Sequence, residues 1–241
     1  MAFVHQLAAF LFVISLPIAL ITTNVRITVN EPRLYEYAAD HYDTPTTTGI
    51  SRDELLSASA ELRDYFNSGS GDPIFVRVEK EGEPISLFNR RETAHLQDVK
   101  TLIRSSFRVQ EAAVIYALAY VVAVFIWARE GNLRALATQL VLTGLLGLAV
   151  IGVVGGMALT GFEQAFDAFH RIAFDNDLWQ LDPATDHLIQ MFPEGFWRDV
   201  SLWVGMATVA ELAVLSVAAA AYMGMTRRQP AAYAQPDAAQ A

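Results

Sequence analysis

The chain has 241 residues, 53% of them hydrophobic, with a net charge of −9 and no cysteine. An acidic chain lacks the basic footprint of nucleic-acid binding, and the absence of cysteine excludes disulfides, thiolate nucleophiles and cysteine-held metals. The mean hydropathy of +0.29 fits a membrane protein with one sizeable aqueous part.

Residues Phe3–Ile21 are apolar apart from His5 and Gln6. That length is close to the ~20 residues that cross a hydrocarbon core of ~30 Å. The run has no basic segment before it and no small-x-small site before Asn24, which predicts a retained signal-anchor helix rather than a cleaved signal peptide. Val25-Arg26-Ile27-Thr28-Val29 alternates and is β-branched, which predicts a strand.

Ser51-Arg52-Asp53-Glu54 has the spacing of a capping box. Leu55, Ala58, Leu62, Tyr65 and Phe66 then mark one face of a helix, ended by Asn67-Ser68-Gly69-Ser70-Gly71. Ile74, Val76 and Val78 alternate as a strand, Glu81-Gly82-Glu83-Pro84 supplies a turn, and Ile85–Phe88 can pair back. His41, between Asp40 and Asp43, reads as a solvated loop residue.

Asn89 and Glu92 again fit N-cap and N3 of a helix. Glu92, His95 and Asp98 stand at i, i+3 and i+6 and share a helical face. A carboxylate beside a histidine can orient its ring and hold its pKa near neutrality. The same spacing also suits an ordinary helix surface with salt bridges to Arg91 or Arg104.

Three further apolar runs follow: Ala112–Ala128, the glycine-rich Leu136–Leu159, and Val200–Met225. Spans must satisfy their own backbone hydrogen bonds, so all four should be helices. Basic residues favour the cytoplasmic end of a span. Arg129, Arg134, Arg227 and Arg228 therefore put the 129–134 connection and the tail inside. The second outer segment holds two arginines against eight acids and belongs outside. The predicted fold class is mainly α: four transmembrane helices with a small α+β extracytoplasmic domain between helices 1 and 2. The expected divisions are helix 1 over 1–23, the outer domain over 24–110, helices 2 and 3 over 111–160 with a cytoplasmic loop at 129–134, an outer loop over 161–199, helix 4 over 200–226, and a disordered cytoplasmic tail over 227–241. This places the protein in a bacterial cytoplasmic membrane with both termini inside.

The segment from Phe169 to Arg198 is denser than a spacer requires. His170 lies beside Phe166, Phe169 and Phe174, where a lone histidine can be a hydrogen-bonded interfacial residue or a catalyst. Two histidines on the outer side, His95 and His170, strengthen the second reading, because membrane geometry confines both loops to one layer. His187, beside Asp186, reads as a helix position after Asp182-Pro183. Trp179, Phe192, Phe196 and Trp197 also fit an interfacial aromatic belt. Glu211, inside the fourth run, is either functional or hydrogen-bonded to Gln139 or a threonine. No H-x-x-x-H or H-E-x-x-H spacing supports zinc, and no cofactor motif is present.

Two strings carry a resemblance. One is Phe88-Asn89-Arg90-Arg91-Glu92-Thr93-Ala94-His95-Leu96-Gln97-Asp98-Val99. The other is Leu178-Trp179-Gln180-Leu181-Asp182-Pro183-Ala184-Thr185-Asp186-His187-Leu188-Ile189-Gln190-Met191-Phe192-Pro193, preceded by Phe169-His170. With the Thr48-Gly49-Ile50-Ser51 step, they resemble a bacterial family of four-helix membrane proteins that includes the lipoprotein intramolecular transacylases. The resemblance runs from the first span to the end of the fourth. It implies transfer of the sn-2 acyl chain of a diacylglyceryl-cysteine lipoprotein to that cysteine's own α-amine, leaving a lyso-form lipoprotein. It carries two catalytic histidines onto His95 and His170.

In that frame His95 is expected as general base, with Glu92 or Asp98 orienting it. His170 would polarise the ester or protonate the leaving group. Arg91 would contact the oxyanion or a group at the phosphate level, and Trp179, Asp182 and Asp186 would line the substrate, the two aspartates shaping the loop through caps and turns. The expected partners are a diacylglyceryl-modified lipoprotein and membrane lipid. Acyl chains would lie beside the span-three glycines Gly144, Gly147, Gly152, Gly155 and Gly156, which otherwise serve close helix packing. Rival readings are an ester hydrolase using the same histidines and a non-enzymatic binding module for an extracytoplasmic partner.

Overall fold

The computed structural model describes residues 2–127 and 130–226, and the chain is mostly helical. Arg129, Arg227, Arg228 and the tail lie outside the described residues. Four helices are long and apolar enough to cross a membrane: α1 (Ala2–Asn30), α5 (Arg90–Ile126), α6 (Glu130–Thr160) and α9 (Glu194–Met225). Leu145, Val153, Val214 and Val217 are exposed on them. Apolar surface of this kind needs lipid around it, and the protein is a membrane protein.

Between α1 and α5 lie α2 (Pro32–His41), α3 (Thr44–Thr48), α4 (Arg52–Asn67), β1 (Arg77–Lys80) and β2 (Glu83–Ser86). Between α6 and α9 lie α7 (Phe162–Ala173) and α8 (His187–Met191). The strands form one antiparallel hairpin, with Arg77 opposite Ser86 and Lys80 opposite Glu83. Its turn residues Glu81 and Gly82 both have positive φ, 55° and 84°, the two-residue geometry that matches strand twist.

Val25–Val29 is helical, not a strand. Strand propensity there yields to tertiary contact: the Arg26 guanidinium sits 4.6 Å from the Phe107 ring centroid and bonds Gln110 and Glu111, each at 2.9 Å. Helix α1 therefore continues to Asn30, where Pro32 and the Glu31 side chain, accepting from Arg33 N–H, begin α2. The outer layer is also more helical than an even α+β mixture, and α5 runs from it into its span without a break.

One core binds this layer. Leu55, Leu62 and Phe66 of α4, Val76 and Val78 of the hairpin arm, Leu87 and Leu96 pack with Leu188, Met191 and Phe196 from the second segment. The two extramembrane segments thus share a single interior. At Ser51 the cap is partial. Its hydroxyl accepts from Glu54 N–H, but the Glu54 carboxylate accepts from Glu79 N–H in β1 instead of returning to the cap backbone.

Within the bundle, Phe12, Ala117 and Leu136 form a second small core, with Phe12 stacked on Tyr120 at 4.7 Å. Glu211 is hydrogen-bonded to Asn24 Nδ2 at 3.0 Å, and the same amide reaches Thr208. Its partner is α1, neither Gln139 nor a threonine. The span-three glycines divide. A Cβ on Gly144 would overlap the Ser216 hydroxyl and one on Gly147 a Leu212 methyl, while Gly152, Gly155 and Gly156 face open space. Gly144→Val is therefore expected to destabilise the protein by about 1–3 kcal/mol through overpacking. Gly155→Val should leave the melting midpoint in detergent almost unchanged, so equal midpoints for the two variants would refute this packing argument.

Candidate active site

The site begins with the cap of α5. Asn89 Oδ1 accepts from Arg91 and Glu92 N–H, and Glu92 Oε2 accepts from Asn89 N–H at 2.7 Å, completing the predicted capping box. Glu92 is fully buried, and its other oxygen accepts from Leu188 N–H at 2.7 Å. One carboxylate thus caps α5 and holds the start of α8. Burial raises its pKa, while the two backbone bonds act in the opposite direction.

Further bonds tie the second segment to the same place. Asn89 Nδ2 donates to Asp186 Oδ1, and Asp182 N–H donates to Asp186 Oδ2. Asp182 Oδ1 accepts from Ala184 N–H. His187 Nδ1 lies 2.9 Å from the Leu87 carbonyl oxygen and, because a carbonyl only accepts, carries the proton there. Arg91 Nη2 donates to the Asp177 carbonyl, and Asn176 Nδ2 donates to Asp98.

These contacts place each of the expected site residues. Glu92 makes no hydrogen bond to His95, and its two oxygens accept from backbone N–H groups. Asp98 is bonded to Asn176 and reaches His95 only through its field. Arg91 fastens the loop through the Asp177 carbonyl. Asp182 and Asp186 shape the loop, and Asp186 is buried in doing so. His187 starts α8. His41 is exposed and stacks on Tyr37 at 4.7 Å.

What the fastened loop does is bring the two histidines together. The His95 and His170 ring centroids are 6.1 Å apart, and both residues are buried. Phe174 packs edge-on to His95 at 5.2 Å, and Trp179 stacks on His170 at 4.9 Å. His170 Nδ1 lies 2.7 Å from the Phe166 carbonyl oxygen, one turn back in α7. Nδ1 must donate, which leaves Nε2 as the unprotonated nitrogen of the neutral ring. His95 Nδ1 is buried without a hydrogen-bond partner among the described residues.

Burial lowers the pKa of both rings. For His95, desolvation dominates, His170 adds to it, Asp98 opposes it, and the value falls to about 4. For His170 the same burial is opposed by the Phe166 bond and by Asp167. Both rings are therefore neutral near pH 7. The unfolded chain takes up a proton near pH 6.5 that folded His95 refuses until about pH 4,. Stability is complete above that window and falls as pH drops through it, by at most about 1.4 kcal/mol per pH unit for this group. Melting midpoints in detergent between pH 7.5 and 4.5 are expected to fall, and less steeply in His95→Gln. Identical slopes in the two proteins would exclude His95 as the source.

Neither the Phe166 carbonyl bond nor the Trp179 stack was assigned from sequence. The i, i+4 spacing of Phe166 and His170 was the available signal for the first.

A model of the family described as lipoprotein intramolecular transacylase Lit matches residues 10–197. An uncharacterised protein of Aquifex aeolicus is 24% identical over 204 residues, covering 84% of this chain and 88% of its own. The structure of the membrane integral lipoprotein intramolecular transacylase Lit from Bacillus cereus superposes with a TM-score of 0.73 at 18% identity, covering 94% of this chain and 99% of that one. A structure of the same protein with one histidine changed to alanine gives a TM-score of 0.70. At that identity the superposition establishes a shared fold.

Proposed function

The chain belongs to the lipoprotein intramolecular transacylase Lit family, and on that premise we propose that it moves the sn-2 acyl chain of a diacylglyceryl-cysteine lipoprotein onto the same cysteine's α-amine. The observation that carries the reading is the buried histidine pair, with His170 locked in one tautomer by the Phe166 carbonyl. The amine and the ester belong to one substrate, so the enzyme needs no nucleophile of its own. Proximity within that substrate supplies much of the acceleration.

The geometry favours a division of labour opposite to the one expected from sequence. His170 Nε2 takes the proton as the neutral amine attacks the ester carbonyl. Its ring is the better base, because the Phe166 bond supports the cationic form, whereas His95 holds a proton only well below neutrality. Neutral His95 donates an N–H to the oxyanion that forms on the carbonyl oxygen. When the tetrahedral intermediate collapses, the bond to the glycerol sn-2 oxygen breaks. His170 returns its proton to that oxygen, leaving an amide and a free hydroxyl. Trp179 holds the His170 ring in plane.

The acyl chains lie along the open glycine face of α6, at Gly152, Gly155 and Gly156, close to its junction with α7. In this reading the outer layer and both histidines lie at the outer face of a bacterial cytoplasmic membrane, with both termini inside. The charge asymmetry of the loops supports that orientation.

Mass spectrometry of a model lipoprotein's N-terminal peptide tests the proposal, in a bacterial host depleted of its own N-acyltransferase. Expression should yield an N-acylated, S-monoacylglyceryl cysteine. An unchanged diacylglyceryl cysteine with a free amine would refute the assignment, and a lyso species lacking the N-acyl group would replace it with ester hydrolysis.

A further inference from the structure

We propose that a cationic groove on the far side of α5 binds the phosphate of an anionic phospholipid headgroup. The groove has a volume of about 360 Å³ and is walled by Lys100, Arg104 and Arg108 on α5, with Tyr65 and Ser70 opposite. The three cations recur every four residues and form one stripe. Arg104 is nine residues from His95, so at 3.6 residues per turn it points about 180° away from the candidate active site. This is a separate feature of the same helix.

Like charges at i and i+4 repel one another on a helix, so a stripe of three calls for compensation. The chain supplies little. Lys100 Nζ donates to Ser68 Oγ and the Ser70 carbonyl, both at 2.7 Å, and lies 4.0 Å from the Tyr65 ring centroid. Arg104 donates through Nη1 to the carbonyls of Asn67 and Ser68. Neutral oxygens and a ring fix these two side chains in place but cancel no charge. Asp72 is the nearby carboxylate whose field reaches Lys100, and it accepts a hydrogen bond from Ser70. Arg108 is exposed and has no hydrogen-bond or ion-pair partner among the described residues. Lys100 spends its three N–H groups on these partners and contributes charge, while Arg104, held in place through Nη1, and Arg108 keep the free N–H groups a phosphate requires,.

Position selects the source of that phosphate. The apolar run of α5 begins at Ala112, so Arg108, Arg104 and Lys100 stand about one, two and three helical turns above it. The lower two side chains reach into the headgroup layer of the leaflet next to the helical layer. The substrate under the proposed function carries no phosphate, so this site does not depend on that reaction. Both rest on the membrane placement of the four spans.

Native mass spectrometry of the full chain in detergent tests the assignment, with phosphatidylglycerol, phosphatidylcholine and inorganic phosphate titrated separately. Phosphatidylglycerol should bind more tightly than phosphatidylcholine, and Arg108→Gln should weaken it by at least about tenfold. Arg108 makes no internal bond, so this variant keeps its fold and its melting midpoint reports that directly. Arg104→Gln should weaken binding as well. Equal binding of the two lipids, or unchanged binding in Arg108→Gln, overturns the proposal. Inorganic phosphate binding as tightly as phosphatidylglycerol overturns the lipid assignment and leaves a free-anion site.

Discussion

Replacing His170 by alanine is expected to lower the rate of N-acyl product formation by about 10²–10⁴-fold, the usual worth of a positioned general base. The ring is buried, stacked on Trp179 and bonded through Nδ1 to the Phe166 carbonyl, 2.7 Å away. Its tautomer is fixed before substrate arrives. Removing it leaves the attacking amine without a proton acceptor and the departing glycerol oxygen without a donor. His95→Ala should also be severely impaired, by loss of the oxyanion donor, with a different pH signature. The rate in His95→Ala should still rise with pH through the His170 titration, whereas in His170→Ala that limb should vanish. Purified protein and a synthetic diacylglyceryl peptide, with product followed by mass spectrometry across pH 5–8, provide the measurement. Full activity in His170→Ala would remove this histidine from the mechanism.

The second large effect concerns stability. Glu92→Ala should destabilise the fold by about 1.5–5 kcal/mol, because the buried Leu188 N–H loses its acceptor, at about 1–3 kcal/mol,, and the exposed start of α5 loses half of its capping box, at about 0.5–2 kcal/mol,. The loss is coupled to the site, since one carboxylate holds both the start of α5 and the start of α8. Loop 174–186 should therefore become sensitive to protease. Glu92→Gln retains one acceptor oxygen and nearly the same shape, and it should fall between wild type and alanine. Melting curves and limited proteolysis in detergent read both effects. A Glu92→Ala protein that melts with wild type and resists protease equally would show that the capping box is dispensable.

The Glu92 case also shows where reading the chain stops short. Its sequence signature as N3 of a capping box was plain, and that local bond is present. The spacing to His95 suggested an orienting role as well. The carboxylate has two oxygens, and the second is taken by a residue 96 positions away. No local pattern encodes that partner. Val25–Val29 shows the same limit, because its β-branched alternation gives way to the ring of Phe107 and the side chain of Glu111, which hold Arg26 on a continuing helix. The hairpin fared better, since a two-residue turn with positive φ is specified by Glu81-Gly82 themselves.

By itself the sequence determined the number of apolar spans, the Ser51 hydroxyl cap of α4, the capping box of α5 and the hairpin turn. Each of these depends on interactions within a few residues or on the cost of placing polar groups in lipid, whereas the two histidines were singled out by the family resemblance of the strings around them. The tertiary structure alone decided the tautomer of His170 in its folded setting, the partner of Glu211, the open and closed glycines of α6, and the distant partners of Asp186 and Arg91. Those outcomes depend on which distant atoms compete for each donor and acceptor, and that competition is settled only when the two extramembrane segments close over a single core.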